Sequence, residues 1–244
     1  PGDIVFHNDP YLGGSHLPDI NMIRPIHVDG ELIAFAANRA HYPDVGGIAP
    51  GSFAGEAEEI LHEGVRIPPM KLYKKDQLDE QLLRLWSANV RAPKRIYADS
   101  AAQVASIRIG ERRILELVEQ EGVDNVKAGI EYIKDYAEKL MRSRIQKIPD
   151  GVYRYFDYMD DSGVDTDPVR IECAMIVEDD QLTFDFDGTE AQVKCPINAP
   201  YAVTSSAAFG AAKCILAPDG PLNAGTYRAL KLLAPEGTLV NAQH

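Results

Sequence analysis

The sequence predicts an α+β fold: mixed sheets, an N-terminal hairpin-rich part that carries the candidate metal residues, and a helical layer at about 77–147. Three observations predict it. Residues 1–75 are dense in Gly and Pro, with short apolar runs between turns. Residues 77–147 carry apolar positions at helical spacing, and after Asp150-Gly151 the period falls back toward two. The 244 residues can bury a substantial core as one large domain or two smaller ones. We divide the chain into a metal-site region at 1–75, a helical region at 76–148 and a strand-rich region at 149–244.

Each element follows from local signals. Segments 20–28 and 31–38 flank Asp29-Gly30, the strongest hairpin signal in the chain. Segment 77–91 and Pro93–Glu121 read as helices, with Gly122 as the stop. Asp124 reads as the N-cap of a helix that runs to about Lys147, before Pro149. Its apolar stripe is Val126, Ile130, Ile133, Ala137, Leu140 and Ile145, with Lys and Glu on the other face. Strands are expected at 152–159, 169–177 and 182–186, the last two joined around Asp179-Asp180. Segment 199–216 is rich in small residues and reads as a buried helix in which Gly210 permits close packing. Segment 226–240 returns to strand-like alternation. Asp157, Asp160, Asp161, Asp165 and Asp167 lack the ligand order of a calcium loop and read as a solvated hairpin edge.

The residues with chemical potential lie early. His16 and Asp19 sit in Gly13-Gly14-Ser15-His16-Leu17-Pro18-Asp19, and His41 sits in Asn38-Arg39-Ala40-His41-Tyr42-Pro43-Asp44. Two imidazoles and one carboxylate make a first shell for a catalytic divalent metal, with positions left for water or substrate. Zinc, manganese and iron all suit such a set. Pro18 argues for a turn between His16 and Asp19. The hairpin would carry the chain out and back, so that His41 returns to the same end. Scattered His and Asp also cap turns, and spacing alone does not choose between the two readings. Asp44 and Asp9 are the candidate catalytic residues, placed to orient a ligand or the attacking water. His7, His27 and His62 read as local hydrogen-bonding groups, His7 drawing more attention beside Asn8 and Asp9.

Composition removes several function classes. A net charge of −12 disfavours nucleic acid and anionic membranes as partners. Cys173, Cys195 and Cys214 form no CxxC, and they read as buried rather than reactive. Without a signal peptide or a bilayer-spanning apolar run, a cytoplasmic location is the expectation. Neither end reads as a natural terminus, so the chain is expected to be a segment of a longer polypeptide. No GxxxxGK[ST] loop, GxGxxG after a strand or GxSxG elbow occurs. Ser15 beside His16 is too weak a pair for a nucleophile and its base.

The same segments resemble a known family. Asn8-Asp9-Pro10-Tyr11-Leu12-Gly13-Gly14-Ser15-His16-Leu17-Pro18-Asp19 resembles the signature of the hydantoinase B/5-oxoprolinase family. Asn38-Arg39-Ala40-His41, Asp44-Val45-Gly46-Gly47, Pro50-Gly51-Ser52 and Glu63-Gly64-Val65-Arg66-Ile67-Pro68-Pro69 continue it in order. Phe186-Asp187-Gly188-Thr189, Pro196-Ile197-Asn198-Ala199 and Pro221-Leu222-Asn223-Ala224-Gly225 carry it toward the other end. The resemblance places the metal ligands of the carboxylase branch on His16, Asp19 and His41. Where the family often has a second His, this chain has Tyr42.

What the resemblance implies is a metal-bearing B-type subunit of an ATP-dependent cyclic-amide hydrolase, opening a hydantoin, 5-oxoproline or lactam ring. A separate hydantoinase A-type subunit would use ATP to phosphorylate the carbonyl oxygen, and metal-activated water would then attack the carbon. The implied assembly is a hetero-oligomer. Two other readings stand beside it: the metal-containing subunit of an acetone-type carboxylase, and a scaffold subunit whose His and Asp only organise turns.

Overall fold

The computed structural model describes residues 1–163 and 167–244, which leaves Asp165 of the acidic stretch outside the described residues. The chain forms two compact units, Pro1–Lys127 and Ala128–His244.

The first unit is built on a five-stranded antiparallel sheet. Its strands are β1 (Ile4–His7), β2 (Asp19–Val28), β3 (Glu31–His41), β4 (Met70–Lys74) and β5 (Gln77–Leu78), in the order β3-β2-β1-β4-β5. Alternation assigns the two faces. Ile4, Phe6, Ile20 and Met22 are fully buried and pack with Leu83 and Trp86 of α2 (Glu80–Ala88) and with Ile96, Val104 and Ile107 of α3 (Pro93–Glu121). Burying such side chains contributes roughly 1.5–3 kcal/mol each. Gln103 of α3 ties the helix to this face: its Nε2 donates to the Ile20 carbonyl at 3.0 Å, and its Oε1 accepts from the Tyr42 hydroxyl at 2.8 Å. The odd-numbered positions, including Asp19, Asn21, Arg39 and His41, lie on the opposite face.

The β2–β3 hairpin turns at Asp29 (φ 51°) and Gly30 (φ 85°), the left-handed pair that a two-residue hairpin turn needs. Both strands run further than expected away from the turn, β2 starting at Asp19 and β3 ending at His41. A one-turn helix, α1 (Ile60–Glu63), interrupts the long loop before β4. The helix expected at 77–91 is divided. Gln77–Leu78 pair with β4, and Asp79 then accepts from Leu82 N and caps α2. A cap outcompetes helix continuation at that residue. α3 begins with Pro93 at its first position and ends at Gly122 (φ 83°), as expected.

The next helix, α4 (Val123–Ile145), begins one residue before Asp124, which lies in its first turn rather than at the cap. α2 and α3 belong to the first unit and most of α4 to the second, so the region at 76–148 is shared between units. The buried face of α4 within the second unit is Ala137, Met141 and Ile145. Ile133 of the expected stripe is half exposed, because a spacing of four tracks the contact better there.

The second unit carries β6 (Gly151–Met159), β7 (Val169–Glu178), β8 (Gln181–Asp185), α5 (Tyr201–Leu216), α6 (Ala224–Tyr227) and β9 (Leu230–Leu233). The sheet order is β6-β7-β8-β9. Its last pair is parallel, which makes this sheet mixed. Val177, Leu182, Ala212 and Leu230 pack with Met141 and Ile145. Three expectations need correction here. α5 buries only one face, and Cys214 and Ile215 on it are exposed. Gly210 meets no neighbour where a Cβ would stand, so close packing does not require it. Segment 226–240 holds a single four-residue strand, preceded by α6 that the Asn223 side chain caps. Among the described residues, no helix is long and apolar enough to cross a membrane.

Candidate metal centre

The hairpin ladder places the triad. Asp19 and His41 are directly opposed as the last pair of β2 and β3, at the end away from the Asp29-Gly30 turn. His16 enters from the preceding turn, which is closed by Asp19 N donating to the His16 carbonyl at 3.0 Å. Tyr42 N donates to the Pro18 carbonyl at 2.8 Å and fastens that turn to the chain beyond His41. Thus Pro18 prevents a helix, and the hairpin brings His41 back to the turn.

The donor atoms converge. Asp19 Oδ1 lies 3.1 Å from His16 Nε2 and 3.1 Å from His41 Nδ1, and all three ligand atoms lie within 4.8 Å of one another. The imidazoles stack with centroids 5.1 Å apart. Donors about 2.1 Å from an ion stand roughly 3.0–3.4 Å apart at adjacent octahedral or tetrahedral vertices. The set therefore fits a divalent cation in donor type, and both distances from Asp19 Oδ1 fall in that range. Asp19 is 16% exposed, whereas His16 and His41 are 39% and 50% exposed, so one side of the centre stays open to a small molecule.

Electrostatics keep the carboxylate charged. Burial opposes ionisation of Asp19, but the Ser15 hydroxyl, donating to Oδ2 at 2.5 Å, and the two imidazoles outweigh it. The carboxyl is held below its ordinary range. Ser15 is in turn contacted by Arg39, whose Nη1 donates to Ser15 Oγ at 3.3 Å and whose Nε donates to Asn21 Oδ1 at 2.9 Å. Ser15 and Arg39 were missed as site residues. Arg39 had a legible signal, two residues before His41 on the same strand face. Phe53 was missed as well: its ring centroid lies 6.4 Å from that of His16 and 6.3 Å from that of His41, and the side chain is exposed. It sits in a loop, where no periodicity marks it.

Asp44 and Asp9 have other commitments. Asp44 accepts from Gly46 N, Gly51 N and Arg91 N, each at 3.1 Å, and from Arg91 Nη1 at 3.0 Å. Burial opposes its charge, yet these donors hold its pKa low. Ser52 Oγ completes the loop by donating to the Gly46 carbonyl and accepting from Val45 N. Gly47 (φ 80°) is required there, since a Cβ would lie 2.5 Å from the His62 carbonyl oxygen. Asp9 accepts from Tyr11 N at 3.0 Å, opening a single 3-10 turn at Pro10–Leu12, and lies 3.6 Å from Arg66 Nε. Among the described residues, neither carboxylate hydrogen-bonds to a member of the triad. His62 makes the local contacts expected of it, with Glu58 N and Glu59. Nδ1 of His7 and of His27 is buried and has no hydrogen-bond partner among the described residues.

The hydantoinase B/oxoprolinase family model matches residues 1–244. The chain belongs to this family. Among its relatives, the putative B-type subunit of a D-/L-hydantoinase from Pseudomonas sp. strain NS671 is 36% identical over 252 residues, covering 98% of this chain and 43% of that protein. The crystal structure of the ATP-dependent caprolactamase from Pseudomonas jessenii superposes with a TM-score of 0.90 at 35% identity, covering 99% of this chain and 42% of that one. A nucleotide-free acetone carboxylase structure shares the fold, with a TM-score of 0.89 at 24% identity over 98% of this chain and 33% of that one. The chain thus spans less than half the length of these proteins.

Proposed function

We propose that this chain is the metal-bearing part of a B-type subunit of an ATP-dependent cyclic-amide hydrolase, working with a hydantoinase A-type subunit that handles ATP. The convergence of His16 Nε2, Asp19 Oδ1 and His41 Nδ1 carries the reading. The names of the relatives, a D-/L-hydantoinase subunit and an ATP-dependent caprolactamase, favour a small ring containing an amide, and in this reading the partner phosphorylates its carbonyl. His16, Asp19 and His41 would hold zinc, manganese or iron, which would supply Lewis acidity toward a carbonyl and acidify water there.

The chain's own residues do the rest. Asp19, kept ionised by Ser15, supplies the negative charge that a cation requires. His16 and His41 hold their rings in stacked orientation on one side, and the exposed Phe53 ring lies beside both. We assign Asp44 and Asp9 as positioning residues for the loops around the triad, since Asp44 accepts from three backbone N–H groups and Arg91, and Asp9 accepts from Tyr11 N and lies near Arg66.

Elemental analysis of wild type and H41A tests the reading, together with ATP-dependent ring opening by the reconstituted pair. The variant should lose its divalent metal and the ring-opening activity while keeping its fold. Equal metal content in both proteins would refute the assignment. Turnover that requires bicarbonate would move the chain to the carboxylase branch.

A further inference from the structure

Beside the triad runs a row of polar side chains that the metal reading does not use. It lies across three strands, at the pairs His7↔Asn21 and Asn21↔Arg39, two residues along β2 from the Asp19↔His41 pair. His7 and Asn21 are 7% and 9% exposed. The Asn21 amide is oriented by Arg39, whose Nε donates to Oδ1, and this leaves Asn21 Nδ2 buried without a partner among the described residues. His7 Nδ1 likewise has no partner among the described residues, and burial favours its neutral form against the opposing charge of Asp9, with Arg39 adding to the effect of burial. Orphaned buried polar atoms are uncommon and costly, and two on neighbouring strands call for a ligand or bound solvent.

Arg39 makes the row selective. Its side chain is exposed, and among the described residues it has no carboxylate partner. Nε and Nη1 are directed at Asn21 and Ser15, and the remaining guanidinium N–H groups have no protein acceptor among the described residues. An immobilised, unpaired fork of this kind matches the oxygens of an anion. It stands two residues along the strand from the Asp19↔His41 pair.

We propose that Arg39, its guanidinium held by Asn21 Oδ1 and Ser15 Oγ, forms an oxyanion subsite that takes the phosphoryl group of the activated substrate and so orients its carbonyl carbon toward the triad. This rests on the reading above, in which the substrate arrives phosphorylated. Arg39 contacts the substrate in this arrangement, whereas Asn21 positions the guanidinium.

The test separates the two ideas. Inorganic phosphate is titrated onto metal-free wild type, R39Q, R39K and H41A, followed by phosphorus NMR, and each protein is then reloaded and its metal content measured. Wild type should bind phosphate and R39Q should bind it about tenfold or more weakly. R39K should fall between, because a lysine lacks the planar fork. H41A should bind phosphate within about twofold of wild type while losing metal, and R39Q should retain metal. Acetate at equal concentration should displace little phosphate. Equal phosphate binding by wild type and R39Q, no binding by wild type, or acetate competing as well as phosphate would each overturn the subsite. Loss of metal from R39Q would also overturn it, making Arg39 a support for Ser15 and Asp19. Metal retained by H41A would instead defeat the triad and leave the phosphate result standing on its own.

Discussion

Replacing Asp44 by alanine removes one carboxylate from three backbone N–H groups and one guanidinium. The Asp44 side chain is 8% exposed and Arg91 is 41% exposed, so the two parts of the cost differ. The ion pair with a half-exposed arginine is worth at most about 1 kcal/mol. The N–H groups of Gly46, Gly51 and Arg91 lose a charged acceptor, and water can replace it only where they are part-exposed. At about 1 kcal/mol each they account for roughly 3 kcal/mol. D44A should therefore cost about 3–4 kcal/mol, and R91A, which leaves the backbone donors satisfied, under about 1.5 kcal/mol. At about 2–4 °C per kcal/mol, the D44A transition should fall by roughly 6–16 °C. Urea denaturation followed by circular dichroism measures both variants. A D44A loss below about 1 kcal/mol, or an R91A loss equal to it, would refute the view that the carboxylate holds this loop through its backbone.

Asp19 and Asp44 both have depressed folded-state pKa values, so their stabilisation is complete above the unfolded value of about 3.9 and is lost as pH falls through the lower folded values. In S15A the Asp19 carboxyl should titrate at higher pH than in wild type, as read by carbon NMR of the side chain. An unchanged titration would remove Ser15 from the site. Q103L leaves the Tyr42 hydroxyl and the Ile20 carbonyl without their partner and should cost about 2–4 kcal/mol in urea denaturation. G47A forces a Cβ against the His62 carbonyl at positive φ and should destabilise by roughly 3 kcal/mol or more; a melting temperature within a degree or so of wild type would count against the described loop.

The parts of the fold that were legible are those encoded by neighbours in sequence. Asp29-Gly30 and the alternation around it specify the hairpin, and the hairpin brings His41 back to the His16 turn. The limits of α3 follow from Pro93 and Gly122. What stayed hidden depends on contacts between distant segments. Asp44 looks like a free acid beside a glycine pair until Arg91, 47 positions later, is seen to occupy it. Segment 77–91 reads as one helix because only β4, supplied from elsewhere, recruits Gln77–Leu78. Phe53 approaches the imidazoles through an irregular loop, and the Ser15–Asp19 contact depends on a turn whose geometry Pro18 suggests without fixing which side chain donates.

The β2–β3 ladder keeps one register from Asp19↔His41 to Ile26↔Ala34, and its irregularity falls between Ile26 and His27, next to the turn. Extra or missing residues at the turn can be absorbed where the ladder is already broken, so the separation of Asp19 and His41 is insulated from the length of that turn. A single insertion between 19 and 26 has no such outlet. It would rotate the residues on the Asp19 side to the other face, exchanging the polar row for the apolar one. The turn is thus where the chain can be lengthened, labelled or reopened while the spacing of its ligands is preserved.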